Sequence, residues 1–109
     1  MLSMWILQTS VVPAPPETQD PDSSPLTFRL SAGTIKTIGR APRADFIVDR
    51  ALVSRLHCRL TAGATELEVV DLESTNGTYV NGERTDRAIL KNGDRLGVGR
   101  VDLFVEKSG

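Results

Sequence analysis

The sequence predicts an all-β protein, a twisted sandwich of short strands. Apolar residues alternate at period two, as Leu26, Phe28 and Leu30 do against Thr27, Arg29 and Ser31, and that period puts successive side chains on opposite faces of a strand. Chain breakers fall at Pro42, Gly63-Ala64, Gly77, Gly82, Gly93 and Gly99, and the apolar runs beginning at Leu26, Thr34, Phe46, His57, Leu67 and Thr78 follow one another at the ~8–12-residue spacing of sandwich strands. No window sustains a 3.6-residue apolar period for more than about two turns, so no helix is expected.

Taken in order, Met4-Trp5-Ile6-Leu7-Gln8 is an apolar run too short for a helix, and residues 1–9 are read as carrying the first strand. Five of the six prolines then fall between Val12 and Pro25. Proline fixes φ and withholds a donor, so residues 10–25 are expected to form a flexible loop inserted in the domain rather than part of a sheet interior. Residues 26–109 are expected to form the remainder of the same single domain. Strands follow at Leu26–Ser31, Thr34–Ile38, Phe46–Val48, His57–Leu60, Leu67–Val70, Thr78–Val80 and Val101–Val105, rich in β-branched residues. Asn81-Gly82 and Asn92-Gly93 fit tight hairpin turns whose central residues need positive φ. Gly97-Val98-Gly99-Arg100 lacks the rest of a phosphate-loop motif and is expected to be a tight turn between the last two strands.

A chain of 109 residues, 39% hydrophobic, suits one domain with one modest core. The net charge of −1 gives no argument for a nucleic-acid or membrane partner. Cys58 is the one cysteine and cannot form an internal disulfide, which points to a reducing compartment, cytoplasm or nucleus. No apolar run approaches the ~18 residues of a membrane span, and Met1–Leu7 lacks the basic start of a secretory signal.

Function in a sandwich lives on the loops at the ends of its sheets. Three loops here are chemically unusual. One holds Gly39-Arg40-Ala41-Pro42-Arg43; the second runs through Asp49-Arg50-Ala51-Leu52 into Val53-Ser54-Arg55-Leu56-His57-Cys58; the third is Glu73-Ser74-Thr75-Asn76-Gly77. Between Lys36 and Arg59 lie six basic residues (Lys36, Arg40, Arg43, Arg50, Arg55, Arg59) against two acids, Asp45 and Asp49. A nearly neutral chain thus concentrates positive charge on these loops, which points to an anionic ligand.

Gly39-Arg40, Ser54-Arg55-Leu56-His57, Ser74-Thr75-Asn76-Gly77-Thr78 and Asn81-Gly82, in that order and separation, resemble the forkhead-associated (FHA) domain, over about residues 26–106. The resemblance implies a sandwich of about eleven strands that binds phosphothreonine peptides through these loops, without catalysis, cofactor or metal. By the same resemblance Arg40 forks two N–H donors onto the phosphate, a geometry lysine does not reproduce. Ser54 would donate its hydroxyl, Arg55 a side-chain or backbone N–H, and Thr75 would hold the threonine methyl. Asn76 would clamp the ligand backbone with a donor and an acceptor. Gly39, His57 and Gly77 are read as supports: Gly39 to let the chain turn, Gly77 at positive φ, His57 to bond backbone groups of neighbouring loops. One buried methyl is worth about 0.8 kcal/mol, a several-fold preference for phosphothreonine over phosphoserine. The partner would be a kinase-marked protein, and the several arginines point to acidic positions or a second phosphate in it. The opening Met4-Trp5-Ile6-Leu7 also resembles the N-terminal FHA module of nibrin-type DNA-break repair proteins, which would place the chain in DNA damage signalling and in the nucleus.

Other chemistries are open from the residues alone. Ser54 with His57, the one imidazole, could make a hydrolase oriented by Asp71 or Asp49, although the chain has no nucleophile elbow. A nucleic-acid binder would need aromatic side chains beside the basic loops, and only Phe46 lies there. A sandwich serving assembly without phosphate is the remaining alternative.

Overall fold

The alternation read from the sequence builds the interior directly. In the computed structural model, which describes residues 3–9 and 25–108, β1 (Met4–Gln8) turns Trp5 and Leu7 inward and leaves Met4, Ile6 and Gln8 less covered. The expected proline-rich loop lies outside the described residues apart from Pro25. Along the chain follow β2 (Thr27–Ser31), β3 (Ile35–Gly39), β4 (Phe46–Ile47), β5 (Cys58–Ala62), β6 (Leu67–Asp71), β7 (Thr78–Val80), β8 (Glu83–Thr85), β9 (Arg87–Leu90), β10 (Arg95–Val98) and β11 (Val101–Ser108). Among the described residues the fold is an all-β sandwich of eleven strands.

Six strands form one sheet in the order β2-β1-β11-β10-β7-β8, and five form the other, β4-β3-β5-β6-β9. All pairings are antiparallel except β3 with β4, where Ile38 lies opposite Phe46. The first sheet contributes Trp5, Leu7, Leu30, Leu96, Val98, Leu103 and Val105 to the core, and the second meets them with Ile38, Cys58, Leu60, Leu67, Val69 and Leu90. Burying each such side chain is worth about 1.5–3 kcal/mol. Two contacts tie the sheets at their margins. Trp5 Nε1 donates to the Gly63 carbonyl at 2.9 Å, and the rings of Phe28 and Phe46 stack with centroids 4.7 Å apart.

Turn chemistry explains one success and one failure of the sequence. Asn81 (φ 52°) and Gly82 (φ 87°) make the expected tight hairpin between β7 and β8. Asn92-Gly93 does not make a hairpin. Asp94 N–H donates to the Lys91 carbonyl, Gly93 alone has positive φ, and the chain crosses from β9 in one sheet to β10 in the other. Gly97 and Val98 likewise belong to β10, so the turn into β11 is confined to Gly99 and Arg100. No helix among the described residues is long and apolar enough to cross a membrane.

Candidate functional site

The loop between β4 and β5 is held by its own apolar residues. Val48, Val53 and His57 are all buried, at 0%, 3% and 0% exposure, so the segment enters the core at three points. Ser54 and Arg55 are carried between two of these anchors. The His57 ring completes the hold: Nδ1 accepts the Ser54 N–H at 3.1 Å, so the ring proton sits on Nε2, which donates to the Gly77 carbonyl at 2.7 Å. One imidazole thereby joins the second loop to the third. Its own backbone bonds Ile38 and Leu72, tying both neighbouring strands to the same residue.

The β3–β4 loop docks on this frame through its backbone. Arg40 N–H donates to the Ser54 carbonyl and Ala41 N–H to that of Arg55. Such closeness requires Gly39, since a Cβ there would fall on the Arg55 carbonyl oxygen and 2.7 Å from its carbon. The expectation that Gly39 serves to turn the chain is corrected: it lies in β3, outside the positive-φ glycines, and what it supplies is room.

The β6–β7 loop is organised by Asp71. Its carboxylate accepts the Ser74 and Thr78 hydroxyls and the Ser74 N–H, and Ser74 Oγ accepts the Gly77 N–H at 3.0 Å. Burial pushes the Asp71 carboxyl up, but these hydrogen bonds outweigh it and hold it below the usual carboxylate range. Gly77 turns at φ 91°, and the Arg84 guanidinium of β8 lies across it, 2.7 Å from where a Cβ would stand.

Arg40, Ser54, Arg55, Thr75 and Asn76 all line one recess of about 410 Å³, together with Ala51, Leu52 and Val53. The donors left over face outward. Ser54 Oγ accepts the Thr75 N–H at 3.0 Å, which leaves the hydroxyl proton to donate elsewhere. Asn76 Nδ2 spends one proton on the Leu52 carbonyl at 3.0 Å, leaving a second N–H and the amide oxygen. Neither Arg40 nor Arg55 takes part in the ion pairs seen among the described residues, such as Arg87–Glu68 and Arg95–Asp102, so no carboxylate there neutralises them. The arrangement can grip a compact anion and a peptide backbone beside it.

Leu52 is a site residue that the sequence does not announce. It adopts φ 73°, a region costing about 1–2 kcal/mol for a non-glycine residue. The strain is met by the turn before β11: a Cβ on Gly99 would come within 3.0 Å of the Leu52 carbonyl and of Val53 Cγ2. Leu52 is thereby placed to receive Asn76 while its own side chain stays 43% exposed on the recess wall.

The geometry does not support hydrolysis. Both ring nitrogens of His57 are engaged by backbone groups, and Asp71 is turned to hydroxyls rather than to the imidazole, so nothing activates Ser54 Oγ. Phe46, the aromatic nearest the basic loops, is stacked on Phe28 rather than free to receive a base. Among the described residues no group of His, Cys, Asp and Glu could hold a metal ion.

The FHA domain family model matches residues 36–99, more than half of the chain. The chain belongs to the FHA family. It is 44% identical over 69 residues to the glycogen accumulation regulator GarA of Mycobacterium tuberculosis, covering 63% of this chain and 43% of that protein. The oxoglutarate dehydrogenase inhibitor of Corynebacterium efficiens is 42% identical over 67 residues, covering 62% of this chain and 47% of that one. The chain thus spans under half the length of these curated relatives. Among solved structures, the FhaA FHA domain complexed with the intracellular domain of Rv3910 superposes with a TM-score of 0.72 at 28% identity, over 95% of this chain and 99% of that one. An FHA domain solved in an analysis of phosphothreonine-dependent interactions gives 0.73 at 27%, over 97% and 96%. These relatives lend no support to the nibrin-type resemblance, to DNA repair or to the nucleus. In this FHA domain the family's loop motifs are the ones that meet in the recess of Arg40, Ser54 and Asn76.

Proposed function

We propose that this FHA domain is a phosphothreonine-dependent peptide-binding module that recruits a kinase-marked partner protein and performs no catalysis. The observation that carries the reading is the convergence of two unneutralised guanidiniums, a free hydroxyl proton and a half-engaged amide in one recess. A phosphothreonine brings close to two charges and three acceptor oxygens to such a place. Arg40 forks onto two of those oxygens, Ser54 donates to a third, and Arg55, which lines the same recess, adds charge. Thr75 lines the space for the threonine methyl, and Asn76 takes the peptide backbone.

The relatives are named for glycogen accumulation and for inhibition of oxoglutarate dehydrogenase, and they favour control of an enzyme over DNA-break repair as the setting. A reducing compartment accords with the buried free thiol of Cys58.

Binding of a phosphothreonine peptide library, measured by fluorescence polarisation against unphosphorylated and phosphoserine counterparts, tests the reading. The expected affinity is about micromolar, near −8 kcal/mol, with phosphoserine several-fold weaker. Arg40→Ala should remove binding while leaving the thermal midpoint in place, because the side chain is exposed and free of structural partners. Partner binding that survives both Arg40→Ala and dephosphorylation would replace the reading with phosphate-independent assembly.

A further inference from the structure

A second, larger recess of about 730 Å³ lies against the first, lined by Arg40, Ala41, Pro42, Arg43, Asp49 and Arg55. Arg40 and Arg55 line both recesses and so form the ridge between them; Arg43 faces only the second. A single phosphothreonine seated beside Ser54 does not use this space. Nor does it use up the ridge, since each guanidinium carries five N–H donors and a forked phosphate contact takes two.

The second recess has three guanidiniums and one carboxylate, and Arg40, Arg43 and Arg55 have no ion-pair partner among the described residues. It is also held in shape. Ala44 N–H donates to the Ala41 carbonyl, closing a turn with Pro42 at its second position, where the fixed proline φ suits it. Ala44 is buried. The Asp45 carboxylate accepts the Thr37 N–H at 2.9 Å, and the Asp45 N–H donates to Thr37 Oγ1 at 3.1 Å. Arg43 is therefore presented from a pinned turn, which lowers the ordering cost of using it.

We propose that the recess of Arg43 seats a second anionic side chain of the same peptide, a phosphorylated residue or an aspartate or glutamate, while the phosphothreonine occupies the recess of Ser54. The inference rests on the phosphothreonine reading and adds a specificity-determining residue to it. Arg43 selects among marked partners those with a second negative group at one spacing, and Asp49 sets the local charge that weakens binding of a poorly placed one.

Isothermal titration of the intact chain tests this with peptides bearing one fixed phosphothreonine and a second phosphothreonine or a glutamate at successive positions on either side. At one spacing the second phosphate should tighten binding by about tenfold, and glutamate by less. Arg43→Ala should erase that gain while the singly phosphorylated peptide binds as before, and Asp49→Asn should enlarge it. A gain that persists in Arg43→Ala, is equal at every spacing, or is absent throughout overturns the second seat. Failure of the singly phosphorylated peptide to bind removes the underlying reading and this inference with it.

Discussion

Ser54 Oγ accepts the Thr75 amide proton at 3.0 Å across 21 residues of chain, so one hydroxyl both closes two loops together and aims its own proton at the ligand. Ser54→Ala removes both. Phosphopeptide affinity is expected to fall by about 10- to 100-fold, the worth of one hydrogen bond to a charged acceptor. Stability should drop by under ~1 kcal/mol, because the exposed Thr75 N–H can turn to water. Calorimetric titration and urea unfolding of the same sample separate the two effects, and a variant that binds normally would remove Ser54 from the site.

His57→Ala is expected to act the other way round. The imidazole is fully buried and satisfies Ser54 N–H and the Gly77 carbonyl. Its loss leaves buried backbone groups unpaired and a cavity beneath the site, together about 3–5 kcal/mol. Urea unfolding should show the loss; a midpoint close to that of the parent would mean the loops close without the ring.

Two glycines should respond very differently to alanine. At Gly39 a Cβ meets the Arg55 backbone, which cannot withdraw without parting the two loops, so Gly39→Ala should cost at least about 2 kcal/mol and weaken phosphopeptide binding. Gly33 has φ 92° and nothing within 4 Å of an added methyl, so Gly33→Ala should carry only the ~1 kcal/mol of left-handed strain and leave binding intact. Thermal melts of both variants decide the contrast.

Acid should loosen the fold through two aspartates. Hydrogen bonds from the Thr37 backbone and hydroxyl, helped by the Lys36 charge, hold Asp45 below the usual carboxylate range against the opposing effect of desolvation, and Asp71 is lowered as described above. A carboxyl whose folded pKa is depressed contributes stability that is complete above its unfolded value of about 3.9 and is lost as pH falls through the folded value. Melting midpoints from about pH 7 to about pH 2 should therefore hold steady and then drop below about pH 4. Asp71→Asn and Asp45→Asn should each flatten that drop; an unchanged acid limb in the double variant would assign it elsewhere.

The Cys58 thiol is predicted to be silent in the folded protein. Burial, with the Asp71 charge beside it, pushes it up to about 12, against a smaller opposing effect of the Thr78 hydroxyl, so almost no thiolate exists at neutral pH. Dithionitrobenzoate should titrate it only after unfolding, and rapid native labelling would contradict the packing.

Much of this was legible because the strongest signals are local. Period-two runs such as Leu26–Leu30 mark their faces unaided, and the loop motifs carry their chemistry in the residue types themselves. The strands that escaped, β8, β9 and β10, are short and carry arginines and a glycine where a strand signal needs β-branched residues. Asn92-Gly93 misled because turn residues specify a local bend, not the sheet that the next strand joins. Leu52 was invisible for a related reason: leucine has no preference for positive φ, and its conformation comes from the Gly99 turn packed behind it. The second recess needs the fold as well, since Arg43 and Arg55 become neighbours only when Ala41 bonds the Arg55 carbonyl.

The indole of Trp5, shut in completely and bonded to Gly63, stands at the end of β5 away from His57, about five strand residues distant. As the sole tryptophan of the chain, it makes intrinsic emission a gauge of whether the two sheets are closed, deaf to what occupies the far rim. Folding and ligand capture can thus be followed as independent optical channels in one cuvette.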